Sequence, residues 1–146
     1  MTTNRIFTIG YEGTTQPELI AALRNAGVKQ VIDVRAVPMS RKPGFSKNIL
    51  ARGLAEAGIG YAHLKALGTP PEGREAARKG RIDVLDRVYA EQLETPEAML
   101  AAEQLKDLAT ESPSTLLCFE RDPARCHRTQ LRQAVLAQWE AIDLQP

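Results

Sequence analysis

The densest chemistry in this chain lies in one stretch, Cys118-Phe-Glu-Arg-Asp-Pro-Ala-Arg-Cys-His-Arg-Thr129. An apolar run feeds a proline-containing loop, and a helix is expected to begin between Asp122 and Cys126. Amides at a helix start lack intrahelical partners and carry positive potential, so they attract anions. Arg125, His127 and Arg128 would add cationic donors there. The plainer alternative is a solvated basic helix face; Glu120 and Cys126, packed so close by, weigh against it. Cys126 lies between Arg125 and His127, surroundings that favour a thiolate and therefore a thiol nucleophile. Cys118 sits inside the apolar run and reads as a buried, inert thiol. A tyrosine-phosphatase loop needs arginine after five intervening residues; that place holds Ala124, and Arg125 comes one later. Cys118, Glu120, Cys126 and His127 lack the CxxC or HxxxH spacing of zinc sites. Adjacent residues such as Cys126 and His127 usually point apart, so no metal is expected.

Other candidates are scattered. Asp33 and Arg35 stand two apart in an extended segment and so share a face. Arg35 could clamp a phosphate or carboxylate with two parallel bonds, while Asp33 orients it or acts as a base. An internal ion pair is the structural alternative. His63 reads either as a satisfied core histidine or as an acid–base partner of Asp33 and Glu120. Of these residues, Glu120, Asp33, Cys126 and His63 are the catalytic candidates, and Tyr11, Arg35, His127 and Arg128 the substrate-binding ones. Arg35, Arg41, Lys42, Lys47 and Arg52 form a basic segment around Phe45. Cations interleaved with an aromatic suit a nucleotide or single-stranded nucleic acid; a solvated loop has the same composition.

These residues are far apart in sequence, so the elements must gather them. Ile6–Tyr11, Val31–Arg35, Ile59–Leu64 and Ser114–Glu120 read as strands, short and rich in β-branched or apolar residues. Helical spacing follows from Pro17 to Gly27, from Ser46 to Gly58, from Asp83 to Leu93 and from Pro96 to Thr110. A last helix is expected to carry Leu131, Val135, Leu136 and Trp139, and Gly68–Gly80 reads as a loop with room for a short helix. Alternating strands and helices imply parallel pairing, hence an α/β three-layer sandwich with four or five mostly parallel strands and helices on both faces. Such sheets bind ligands beyond the carboxyl ends of their strands. The polar residues collect there: Tyr11 and Glu12, Asp33 and Arg35, His63 and Lys65, Glu120 and Arg121 each follow a strand.

Composition sets the outer limits. The 146 residues are 43% hydrophobic and 25% charged, which fits a single soluble domain able to bury a core without a metal or disulfide. Nineteen Lys plus Arg against eighteen Asp plus Glu give a net charge of +1, so any nucleic-acid contact must be a local patch. Two cysteines make no disulfide framework and suggest a reducing, cytoplasmic setting. The only apolar run near the start, Ile6–Ile9, is too short for a signal peptide or a membrane span.

Taken in order, IGYEG, IDVRAVPMSRKPGF, YAHLKALG and CFERDPARCHR resemble the bacterial and archaeal family called domain of unknown function 488. Glu120, Pro123, Cys126, His127 and Arg128 carry the most specific part of the resemblance. It implies an α/β fold over nearly the whole chain; Glu12 stands where the family usually has serine. Ile32–Arg35 also looks like the opening of rhodanese domains, but no rhodanese-type loop follows. Three expectations result: a protein that binds or acts on a phosphate-bearing or nucleic-acid substrate at the sheet rim, a sulfurtransferase-like thiol enzyme using Cys126, or a non-catalytic binding module. No cofactor is expected, no membrane is implicated, and a monomer or homodimer would serve.

Overall fold

Residues 5–10 leave the start of the chain as an almost wholly buried strand, β1 (Arg5–Gly10), in the computed structural model, which describes residues 4–146 without the side chain of Arg125. Four further strands join it: β2 (Gln30–Asp33), β3 (Gly60–His63), β4 (Ser114–Cys118) and β5 (Glu140–Leu144). All pairings are parallel, and the order across the sheet is β3-β2-β4-β1-β5. β4 is therefore flanked by β2 and β1, with Gly10 opposite Cys118 and Asp33 opposite Leu117. The residues leaving these three strands become neighbours for that reason alone.

The period-two pattern of the strands divides the core. Phe7, Ile9, Val31 and Leu117 face one side and pack on α1 (Gln16–Ala26) and α2 (Lys47–Glu56) through Leu19, Leu23, Leu50 and Leu54. Ile6, Ile32 and Leu116 face the other, against α4 (Ile82–Leu93), α5 (Pro96–Glu111) and α6 (His127–Val135) through Tyr89, Leu105 and Leu131. The three-layer α/β sandwich follows. Local chemistry marks the boundaries: Thr15 and Glu18 form a capping box at α1, whose end is Gly27 at φ 78°. No helix among the described residues is long and apolar enough to cross a membrane.

Two elements differ from expectation. Gly68–Gly80 contains a full helix, α3 (Pro71–Arg78), with proline in its first turn. The last helix stops at Val135 rather than running through Trp139, and the chain returns as β5 on the edge beside β1. β5 packs Ala141 toward one core and Ile142 and Leu144 toward the other, but Glu140 and Asp143 between and beside them are charged and exposed. Such a segment lacks the apolar run by which a central strand is recognised.

Candidate functional site

At the carboxyl end of β1, Gly10 is a steric requirement. A Cβ there would run into the carbonyl of Glu120, so the chain leaving β4 can lie against β1 only if residue 10 is glycine. The approach is fastened by Tyr11 N donating to Cys118 O (3.2 Å) and Glu12 N donating to Phe119 O (2.8 Å).

On the β2 side the polar residues satisfy one another. Arg35 donates from Nε to Asp33 Oδ1 (2.9 Å) and from an Nη to Asp33 Oδ2 (2.7 Å), a bidentate pair with both side chains buried. Its other terminal nitrogen donates to Phe45 O (2.7 Å) and to the Tyr11 hydroxyl (3.3 Å). Tyr61 donates its hydroxyl to Asp33, and His63 Nε2 donates to Arg35 O at 2.8 Å. Burial works against the Arg35 charge, but the Asp33 hydrogen bonds and charge outweigh it and hold the pKa above the usual arginine value. Burial, and then the bond to Asp33, raises the Tyr61 phenol. Phe45 is fully buried, stacked on Tyr11 with ring centroids 4.6 Å apart. It offers no face to a nucleic-acid base, so the basic segment around it does not form the stacking platform its composition suggested.

The stretch after β4 folds otherwise than its sequence suggests. Asp122 caps a short 3₁₀ turn, Pro123–Arg125, accepting from Ala124 N at 2.9 Å. α6 begins only at His127, with Cys126 as its N-cap and no side-chain cap bond. Arg125, expected to add a cationic donor, has its side chain outside those described. Cys118 and Cys126 are joined as a disulfide, both buried, so in this state Cys126 carries no thiolate and the expected free nucleophile is absent. Cys126 and His127, expected to point apart, turn the same way, with Sγ and Nδ1 3.7 Å apart. His127 Nε2 donates to Val34 O at 2.8 Å while its ring meets Tyr89 edge-on. Burial, with the Arg128 charge beside it, brings the His127 pKa down to about 4 against the pull of the Val34 bond, so the imidazole is neutral at pH 7.

Arg128 is fully buried. One terminal nitrogen donates to Cys118 Sγ (3.0 Å) and to Glu120 O, the other to Arg121 O (3.1 Å), while Nε has no hydrogen-bond partner. Burial lowers its pKa. Arg35 and Arg128 were expected to meet on one anion; each instead holds its own segment of the fold.

Between these two assemblies opens a cleft of about 760 Å³. Tyr11, Arg35, Glu120, Cys126 and His127 of the expected site reach its wall, whereas Asp33, His63 and Arg128 stand behind it. A family model, Domain of unknown function DUF488, matches residues 15–135, most of the chain. The chain belongs to the DUF488 family. No curated protein and no solved structure matches it. In this DUF488 domain the cleft also has a wall that the sequence reading passed over: Arg74, Ala77 and Arg78 of α3, with Leu85 of α4. Two arginines four apart share a helix face, and that spacing behind Pro70-Pro71 was the signal that could have found them. Among the described residues, Arg74 has no side-chain hydrogen bond or ion pair. Two of the cleft acids accept backbone amides: Glu12 from Arg121 N (3.0 Å) and Asp122 from Ala124 N.

Proposed function

We propose that this DUF488 domain binds a small ligand bearing a phosphate group in the rim cleft, with Arg74 and Arg78 as its anion donors. The observation that carries the reading is the α3 wall, where two arginines one helical turn apart line the cleft and Arg74 has no side-chain partner among the described residues. Planar guanidinium forks suit phosphate oxygens. The volume supports a small molecule, since such sites usually span about 300–1,000 Å³. Phe119, half-exposed at the mouth and edge-on to Tyr11, and Val37 supply the apolar side of the wall.

Thermal unfolding of the wild type and of Arg74→Ala and Arg78→Ala, titrated with inorganic phosphate, a nucleoside monophosphate and a single-stranded oligonucleotide, tests this. A native-state ligand raises the midpoint as its concentration passes Kd. A phosphate monoester should protect the wild type, and each alanine variant should need about ten- to a hundredfold more of it. Equal protection of wild type and variants, or none, overturns the reading. Protection by the oligonucleotide alone would replace it with nucleic-acid binding.

A further inference from the structure

The floor of the cleft holds a second arrangement. Cys118 Sγ, Cys126 Sγ and His127 Nδ1 all lie within 4.8 Å of one another, on three buried residues. Glu120 Oε2 is 3.8 Å from Cys118 Sγ. Because His127 donates its Nε2 proton to Val34 O, Nδ1 is the lone-pair nitrogen, and it is the one facing the sulfurs. Metal-bound histidines are oriented in this way, the far nitrogen fixed by a carbonyl or carboxylate. The Arg128 guanidinium, 3.0 Å from Cys118 Sγ, favours the thiolate form that a metal requires. The α-carbons of the two cysteines are 7.3 Å apart. Disulfides usually span about 4.4–6.8 Å, so the backbone holds these residues far enough apart for an ion to sit between the sulfurs. Cys118, Glu120, Cys126 and His127 also line the cleft, which gives an ion a way in.

We propose that, once the disulfide is reduced, Cys118, Cys126 and His127 bind a zinc-class divalent cation, with Glu120 or a cleft water as the fourth ligand. Two thiolates and an imidazole select zinc-like ions over magnesium or calcium. Cystine and metal-bound dithiolate are then alternative states of one pair of residues. A phosphine reductant opens the disulfide to two thiols while taking up a water oxygen as its oxide. Loading then releases both thiol protons to the buffer as two sulfur–metal bonds form. The site needs no anion in the cleft and stands independently of the phosphate reading.

The full-length chain, reduced with a phosphine under anaerobic conditions, is titrated with Co²⁺ and then with Zn²⁺. The expected result is one Co²⁺ per chain, with a thiolate-to-cobalt charge-transfer band and intense tetrahedral d–d bands, all abolished by stoichiometric Zn²⁺. X-ray absorption of the zinc-loaded wild type should show two sulfur and two nitrogen or oxygen neighbours, a readout that depends on no variant folding. Cys126→Ser, which keeps the Cys118 thiolate, should show a clearly weaker charge-transfer band per bound ion and bind at least about a hundredfold more weakly, since even an outer-shell partner can cost that much. Fully reduced wild type without the band overturns the proposal, as does a disulfide that resists reduction in the folded chain. A spectrum unchanged in Cys126→Ser overturns it too.

Discussion

The two walls of the cleft use the same residue types in opposite ways. On the β2 wall, Arg35 is engaged through every nitrogen by Asp33, Tyr11 and Phe45, and His63 and Tyr61 brace that pair from behind. On the α3 wall, Arg74 carries a similar charge with no partner among the described residues, one turn from Arg78. A guanidinium that must be buried is surrounded by acceptors, because leaving it unpaired costs several kcal/mol. A guanidinium at the edge of solvent needs none, and is free for a ligand. What separates the engaged arginine from the unpartnered one here is depth rather than sequence neighbourhood.

Breaking the β2 wall should have the largest effect. Arg35→Ala leaves the carboxylate of Asp33 buried without its cation, and unfolding stability should fall by about 3–5 kcal/mol. Urea titration measures this, and a loss below about 1 kcal/mol would mean that the two walls are not different in kind.

Acid should come next, through His127 in the oxidised, metal-free chain. Its folded pKa of about 4 lies below the ordinary 6.5, so the unfolded chain takes up the proton first as pH falls. The contribution of the neutral buried ring is complete above pH 6.5 and is lost progressively down to about pH 4, amounting to about 3 kcal/mol. The difference between wild type and His127→Gln, followed by urea unfolding across that window, isolates it from the carboxylates. A difference independent of pH would contradict the burial argument.

Reduction should cost somewhat less. Cys118 and Cys126 are separated by 8 positions, and opening so short a loop removes roughly 2–3 kcal/mol in the chain-entropy account. Calorimetry with and without a phosphine reads this in the absence of metal. Added Zn²⁺ should return part of it, which would set the cleft floor apart from the β2 wall, fixed by its own partners.

The smallest effect belongs to the α3 wall. Arg74→Ala should change stability by no more than about 0.5 kcal/mol, as for other surface substitutions. A larger loss in urea would place Arg74 with the structural arginines and remove its claim to a ligand.

Much of the fold was legible because β1, β2 and β4 are apolar runs closed by polar residues, and because Thr15, Gly27, Thr95 and Pro96 punctuate their helices. β5 was not, since Glu140–Leu144 is a short edge strand broken by the charges of Glu140 and Asp143, and it continues from a helix without an intervening glycine or proline. The gathering of Tyr11, Arg35, Glu120, Cys126 and His127 at one cleft followed from strand order. Their duties did not. Whether Arg35 meets a ligand depends on the Phe45 carbonyl ten residues away, and the meeting of Cys118 with Cys126 depends on a 3₁₀ turn that spacing does not announce.

The placing of β1 bears on how the chain emerges during synthesis. Its two neighbours in the sheet are β4 and β5, so Phe7 waits for Thr115 and Ile142 to be made before it has a strand on either side. The most apolar segment of the amino-terminal part thus leaves the ribosome long before its partners exist. Sheets closed by such distant pairings form slowly, and their early strands are exposed meanwhile to other chains. Completion of the sheet becomes a late event, after α1 to α6 have already been made, and the cleft bounded by Tyr11 and Glu120 must wait at least for β4.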